Sequence, residues 1–220
     1  MLECRAGIGR PLLRHTGVIM ASREDLKDFQ ILGACVQSIL AGFGHFTLLA
    51  SKILLESGLG TADQHADGMA ELEPARWYPL ESFLSAFSRV GAEFGDITLR
   101  QVGLQIPRRA VLPPEFHSDI HTAFRTMDMG YHLNHARKGV QMFNTATGEM
   151  LDGIGHLHTK AVPGKKQIIV EVDTPYPCAF DEGIVLGLAQ LLEPFATAVH
   201  DRKTCRKRGD NICYHIVSWR

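Results

Sequence analysis

Apolar residues recur every three or four positions through much of the first half of the chain, which is the spacing of one buried helix face. A capping-box-like pair, Ser22 and Asp25, opens the first run, and the Gly42-Phe43-Gly44 break ends it. Pro79 and Gly95 bound a third run. The pattern predicts helices over about 22–42, 45–57, 79–95, 97–106 and 113–134, with an exposed acidic loop over 60–76.

The same spacing separates buried from solvated helix faces. The second helix is expected to turn four residues inward: Leu48, Leu49, Ile53 and Leu54. The fifth helix is expected to bury Phe116, Ile120, Ala123, Met127 and Tyr131. Its opposite stripe carries His117, His121, His132 and His135, with Asp128 between them. The plainer interpretation of that stripe is a solvated face.

The periodicity changes in the second half of the chain. Strands are predicted over 140–143, 150–159 and 167–172, then a helix over 180–192, and closing strands near Val199 and over 214–219. Helices followed by an antiparallel sheet with one inserted helix indicate an α+β fold. We expect an N-terminal extension over 1–20 and one ligand-binding domain over 21–220, whose metal-binding part spans about 175–220.

Composition narrows the function classes. The chain has 220 residues, of which 45% are hydrophobic and 21% charged, with a net charge of −1. This near-neutral balance argues against nucleic-acid or anionic-membrane partners. The apolar runs contain polar residues and are too short to span a bilayer, and the N-terminus has no secretory-signal pattern. We therefore expect a cytoplasmic protein. The basic residues 202–208 are expected to form a solvated face.

Three of the five cysteines have positions that suggest a common metal ion. Cys178 lies between a predicted strand and a helix, whereas Cys205 and Cys213 flank a Gly209-Asp210 turn that would bring them together in a hairpin. Thiolates are soft ligands that suit Zn²⁺, which takes four ligands in a tetrahedron. The alternative is that the cysteines fill a core, since no Cys-x-x-Cys knuckle is present.

His200 is the best candidate for the fourth ligand, with Asp201 and His215 as weaker ones. It lies five residues before Cys205 in the sequence. A closed site of four ligands would be structural and would tie the last strands to the inserted helix.

The C-terminal region contains Pro177-Cys178-x-x-x-Glu182-Gly183-x-x-x-Gly187 and then Cys205-x-x-x-Gly209-Asp210-x-x-Cys213-Tyr214-x-Ile216. This pattern resembles the signature of the 4-vinyl-reductase small-molecule-binding domain. The resemblance implies a fold shared with haem nitric oxide sensors and with the sensor regions of bacterial activators that respond to aromatic compounds. In those regions the three matching cysteines and an acidic residue hold zinc. His200 stands near the position of that acidic residue. The fold analogy also implies a homodimer.

Histidines are concentrated between residues 117 and 158, and His156 and His158 alternate on a predicted strand, so they share a face. Such imidazoles bind a metal ion, hold haem or hydrogen-bond a polar ligand. We predict a ligand pocket between the helices and the sheet, with aromatic residues as its apolar wall. The predicted contacts are His121, Phe124, Tyr131, His132, His156, His158, Trp77 and Phe87. The alternative is that the aromatic stripe is ordinary core.

A haem-based gas sensor is the third interpretation. In the nitric oxide sensors of this fold, an axial histidine is combined with a downstream Tyr-x-Ser-x-Arg motif. The nearest stretch here is Leu133-Asn134-His135-Ala136-Arg137, which keeps the arginine but lacks the tyrosine and the serine. No histidine lies at the expected upstream distance. The sequence therefore disfavours haem.

The sequence favours a small-molecule sensor or regulatory module with structural zinc, whose ligand is hydrophobic or aromatic. Its signal would pass to a partner protein or through rearrangement of a homodimer. The alternative is an enzyme that acts on a small hydrophobic or tetrapyrrole-like substrate. No nucleophile elbow, His-Glu-x-x-His motif or phosphate loop supports that alternative, and no catalytic residue is assigned.

Overall fold

The computed structural model describes residues 25–62, 67–110, 112 and 114–220, so the predicted extension over 1–20 lies outside the described residues. The helices are α1 (Gly33–Gly42), α2 (Thr47–Glu56), α3 (Leu80–Arg109), α4 (Ile120–Leu133) and α5 (Cys178–Leu192). The strands are β1 (Phe29–Leu32), β2 (Thr61–Ala62), β3 (Ala70–Glu71), β4 (Trp77–Pro79), β5 (His135–Arg137), β6 (Val140–Gln141), β7 (Leu157–Ala161), β8 (Gln167–Val172), β9 (Thr197–Asp201) and β10 (Cys213–Ser218).

Within the described part of the chain, all strand pairs are antiparallel, in two four-stranded sheets and one short hairpin. The first sheet has the order β4-β1-β5-β6 and the second β7-β8-β10-β9, while β2 pairs with β3. One apolar core lies among α1, α2, α3 and the first sheet, and a second lies between α4, α5 and the inner face of the second sheet. The predicted α+β fold is confirmed.

The start of the described chain differs from its prediction. Phe29 and Ile31 belong to a strand rather than to the predicted first helix, which begins at Gly33. Both side chains are buried while their neighbours are half-buried, and the strand lies between β4 and β5. A short apolar run satisfies helical and strand spacing equally well, so strand pairing with distant residues decides the conformation.

Helix α2 also departs from its prediction in part. Ile53 and Leu54 are buried as expected, whereas Leu48 and Leu49 are 53% and 44% exposed. The inward face of α2 is therefore narrower than the run of leucines suggested.

Within the described residues no single helix is long and apolar enough to cross a membrane. The pair Gly33–Gly42 and Gly44–Glu56 has the length and apolarity of a membrane span when the two are taken together, but the pair is bent by 112°.

Helices α3 and α5 cross at glycine contacts. A Cβ atom at Gly103 of α3 would overlap the carbonyl oxygen of Phe180, and one at Gly183 of α5 would overlap that of Arg100. Arg100 Nε also donates to Glu182 Oε1 at 2.8 Å. Because the backbones approach this closely, α5 has a fixed position, and so has Cys178 at its first turn. Gly95, with φ of 77°, produces the predicted break within α3.

Candidate functional site

Helix α4 carries the central residues of the candidate site. It begins after Asp119, whose side chain accepts hydrogen bonds from the backbone of His121 and Thr122. The hydrogen bond from the Thr122 hydroxyl, with the two backbone bonds, lowers the pKa of Asp119 to about 2. Ile120, Ala123 and Met127 of the predicted stripe are buried in the second core with Phe124, whereas Tyr131 is half-buried. Phe116 is also buried but precedes α4, which begins at Ile120 rather than at the predicted 113. The cap and the apolar stripe fix the orientation of α4 about its own axis.

His132, in the last turn of α4, is fully buried rather than solvated. Its Nδ1 lies 2.8 Å from the backbone oxygen of Asp128 and donates to it. Its Nε2 has no hydrogen-bond partner in the described part of the chain. Burial lowers the pKa of His132, so the ring is neutral at neutral pH. The lone pair of Nε2 is therefore available to a metal ion.

Asp128 connects α4 to the start of β7. Its Oδ1 accepts from the backbone of Leu157 at 2.9 Å, and its Oδ2 lies 3.0 Å from Nδ1 of His156. The hydrogen bond with Asp128 raises the pKa of His156. The His156 ring lies 4.8 Å from the ring of His132 and 4.8 Å from the nearly parallel ring of His158. The structure thus brings His132, His156 and His158 together around Asp128.

His135 is a buried histidine with two partners. Its Nδ1 lies 2.7 Å from the backbone oxygen of Tyr131, and its Nε2 lies 2.7 Å from the hydroxyl of Tyr176. Desolvation lowers its pKa to about 4. Because both nitrogens are satisfied, His135 belongs to the structural framework and offers no free lone pair.

Aromatic side chains fill the interior between α4 and α3. The Tyr131 ring lies 6.2 Å from that of Tyr176, which lies 6.3 Å from Phe83 and 5.6 Å from Phe180. Phe87 continues the row, 5.5 Å from Phe83 and stacked on it. These rings belong to the first core or pack against it. The interior next to α4 is therefore apolar and closely packed.

The other predicted pocket residues lie apart from this cluster. His121 packs against the ring of Trp219 at 5.5 Å, about 16 Å from His132 along the helix axis. Trp77 is half-buried on β4, opposite Leu32 of β1. Two open cavities of about 600 and 580 Å³ lie on the surface, one beside β3 and β4 and one on the outer face of the second sheet. His132 lines neither of them.

The three cysteines converge as the sequence spacing predicted. The sulfur of Cys178 lies 3.8 Å from that of Cys205 and 3.2 Å from that of Cys213. All three sulfurs lie within 4.8 Å of one another. Cys178 begins α5, Cys213 begins β10, and Cys205 lies in the loop between β9 and β10. The cluster thus joins the helix to the end of the sheet.

Arg206 was missed by the sequence analysis, which expected the whole basic cluster to be solvated. Its guanidinium is buried, pairs with the buried carboxylate of Asp181, and lies 3.5 Å from the sulfur of Cys213. The hydrogen bond with Cys178, together with Arg206, lowers the pKa of Cys213 to about 4. The thiolate form of Cys213 is therefore favoured at neutral pH.

His200, the predicted fourth ligand, is not part of the three-cysteine group. Its ring stacks on that of His215 at 4.9 Å, because the two residues face each other across β9 and β10. Nε2 of both rings lacks a hydrogen-bond partner among the described residues. Its role as a ligand stays a prediction.

No family model matches the chain, and no curated protein matches it. Solved structures do match. An H-NOX protein from S. oneidensis in the Fe(II)NO state is 14% identical, with a TM-score of 0.56 over 86% of this chain and 99% of that one. The H-NOX domain from Shewanella oneidensis in the Fe(II)CO state is 15% identical, with a TM-score of 0.55 over 86% and 99%. A structure described as probing haem distortion in the H-NOX family is 16% identical, with a TM-score of 0.58 over 86% and 95%.

These neighbours correct the predicted cofactor. The sequence predicted zinc as the cofactor, and this prediction is wrong. The matching structures are described with haem or with its iron in the Fe(II)NO and Fe(II)CO states. The proposed membership of the 4-vinyl-reductase family is not shown, since no family model matches. The coarser part of that resemblance, a fold shared with haem nitric oxide sensors, is confirmed. The chain has the fold of H-NOX domains.

Proposed function

We propose that the chain is a small-molecule sensor domain that binds haem through Nε2 of His132. Two observations support this proposal. The fold is that of H-NOX domains, and the neighbours in that fold are described with haem iron and diatomic gases. His132 lies in the last turn of α4 with its Nε2 buried and without a partner among the described residues. When bound, haem would supply an iron centre for a gaseous ligand.

The unpartnered nitrogen is the observation on which the proposal rests. A buried polar atom without a hydrogen bond costs roughly 1–3 kcal/mol, so in native proteins such an atom usually contacts an ordered water or a ligand. The anchoring of Nδ1 by Asp128 holds the proton on that nitrogen and leaves the Nε2 lone pair free. A neutral imidazole with an anchored Nδ1 is the donor that haem iron takes from a proximal histidine.

Nε2 of His132 is a suitable ligand for haem iron, but the aromatic rings near it limit the space for a porphyrin. The rings of Tyr131 and Tyr176 are close to each other and continue to Phe83. The Tyr131 ring also lies 5.2 Å from the ring of His132, so a porphyrin held by His132 would displace Tyr131 from its packed position. Haem binding should consequently change the near-UV circular dichroism of the tyrosines as well as produce a Soret band.

Haem titration of the purified full chain tests the proposal. We expect saturation at about one haem per chain and a Soret band. His132→Gly should lose that band, and added imidazole should restore it by filling the vacated position. His121→Ala, on the same helix but remote from His132, is the matched control and should bind as the unmodified chain does. A Soret band of unchanged intensity and affinity in His132→Gly would refute the assignment, as would no saturable binding.

A second candidate is a haem-free pocket for a small aromatic ligand. It is favoured by the closely packed aromatic interior, which suits a ligand smaller than a porphyrin. Mass spectrometry of molecules released from the purified chain by mild denaturation distinguishes the two: haem supports the first candidate and a small aromatic compound the second. In either case the signal would leave through a partner protein or a homodimer.

A further inference from the structure

We propose that Asp128, His156 and His158 form a separate binding site for a divalent first-row transition-metal ion, with Fe²⁺ as the best-matched ion. One ligand atom from each of the three lies within 4.8 Å of the other two. The site does not depend on haem binding, because it uses none of the atoms of His132. It joins α4, through Asp128, to the start of β7, through the two histidines.

The spacing of Asp128 and His156 suits metal coordination. Asp128 Oδ2 and His156 Nδ1 are 3.0 Å apart. Two ligands that lie about 2.1 Å from an ion and at right angles to each other are about 3.0 Å apart. An ion can therefore replace the proton that the two atoms share, with little movement of either side chain.

The two side chains are held in place before any ion arrives. The backbone N–H of Leu157 donates to Asp128 Oδ1, which leaves Oδ2 turned toward His156. The backbone N–H of His156 donates to the carboxylate of Asp173. A Cβ atom at Gly155 would overlap the carbonyl oxygen of Asp173, so the approach of these segments also needs the glycine. Such preorganisation lowers the conformational cost of binding an ion.

His158 and Asp152 complete the surroundings. His158 is exposed, stacks on His156 at 4.8 Å, and is free to turn one nitrogen toward the ion. Asp152 is almost fully exposed, and its Oδ1 lies 3.3 Å from Nε2 of His156. It adds negative charge on the solvent side, which favours a cation. The exposed side chains also provide an entry path from solvent.

The ligand types select the ion class. Calcium and magnesium prefer oxygen ligands, which excludes them from a site with two imidazoles. Two histidines and one carboxylate with open coordination positions form the ligand set typical of non-haem Fe²⁺. The alternative is that Asp128 and His156 form only a structural ion pair between α4 and β7. That alternative predicts no saturable metal binding that depends on His158.

Titration of the untagged full chain with Co²⁺, a stable substitute for Fe²⁺, tests the site. We expect a site that takes about one ion per chain and shows weak visible bands, without the intense sulfur-to-metal absorption of a thiolate complex. His158→Ala and Asp128→Asn should each weaken binding by at least about tenfold. His158→Ala removes an exposed side chain, so its result does not depend on the folding of Asp128→Asn. The exposed His45 supplies the control, His45→Ala, which should leave affinity unchanged.

His132→Gly separates this site from the proposed haem site. It should retain Co²⁺ binding while it loses haem, and His158→Ala should show the reverse. The proposal is overturned if no saturable Co²⁺ binding occurs or if His158→Ala binds with unchanged affinity. It is also overturned if the bound ion shows thiolate absorption that Cys205→Ser removes, because the ion would then lie at the cysteine cluster.

Discussion

Nδ1 of His132 lies 2.8 Å from the backbone oxygen of Asp128, one turn earlier on α4. The same residue, through its carboxylate, lies 3.0 Å from Nδ1 of His156. Asp128 therefore contacts both histidines with different atoms: its carbonyl fixes the tautomer of one, and its side chain pairs with the other. The two imidazoles, whose rings are 4.8 Å apart, have pKa values shifted in opposite directions. Burial lowers the pKa of His132 although its hydrogen bond to the Asp128 carbonyl opposes that shift, whereas the hydrogen bond with the Asp128 carboxylate raises the pKa of His156.

The glycine contacts between α3 and α5 lead to a first prediction. Gly103→Ala should destabilise the protein by roughly 1–3 kcal/mol, because the added methyl group overlaps the carbonyl oxygen of Phe180 and forces the helices apart. Gly130→Ala is the matched control, since Gly130 is helical and its added methyl group meets nothing. It should stabilise the protein by about 0.4–1 kcal/mol. Urea unfolding measures both, and equal effects of the two substitutions would contradict the packing argument.

The approach of Cys205 to Cys213 was predictable from local sequence, whereas the environment of His132 was not. Cys205 and Cys213 flank a turn, and local geometry is enough to bring them together. The burial of His132 depends on the approach of the segment that leads into β7, which is more than twenty residues away along the chain and contains His156. Periodicity along one helix cannot identify which polar residue a distant strand will cover. The i, i+4 spacing of Asp128 and His132 was the one local signal of their contact.

The conformation of β1 and the burial of Arg206 were mispredicted for the same reason, because both depend on contacts with residues that are distant in sequence. Phe29 and Ile31 fit a helical pattern, and strand pairing with β4 and β5 overrides it. Arg206 lies within a run of basic residues that is otherwise solvent-facing, and only the tertiary position of Asp181 shows why it is buried. Sequence patterns therefore identified the fold class and the longer helices, but not which members of a polar cluster enter the interior.

His135 should make stability depend on pH. Its pKa is lowered from 6.5 to about 4 in the folded state, so the unfolded chain binds its proton more readily. Stability is therefore full above the unfolded pKa and falls as pH decreases from about 6.5 to 4. The expected loss from this group is about 3 kcal/mol. Urea unfolding between pH 7.5 and about 4 should show it.

His135→Gln is the comparison for that measurement. It should be less stable at pH 7, because the buried contacts with Tyr131 and Tyr176 are altered, but its stability should fall less steeply with acid. An identical pH slope in the variant would show that His135 does not titrate as expected.

Removal of the hydroxyl of Tyr176 tests the other side of the same contact. Tyr176→Phe leaves Nε2 of His135 buried without its partner, which should cost roughly 1–3 kcal/mol. Tyr214→Phe, on the outer face of the second sheet, is the control and should change stability by less than about 0.5 kcal/mol. Thermal and urea unfolding should agree on the order of the two variants. If Tyr176→Phe loses no more stability than Tyr214→Phe, the Tyr176 hydroxyl is not needed as a hydrogen-bond partner of His135.

Arg206 should control both stability and the chemistry of Cys213. Arg206→Met removes the partner of a buried carboxylate, Asp181, and should destabilise the protein by about 3–5 kcal/mol. Because Arg206 helps to lower the pKa of Cys213, the variant should also need a higher pH to form that thiolate. The pH dependence of the ultraviolet absorbance of the thiolate, compared with that of Cys213→Ser, measures this shift in a thiol that is buried in the native protein. Arg208→Met replaces an exposed neighbour and should leave both quantities unchanged, so a shift of the same size in that variant would refute a specific role for Arg206.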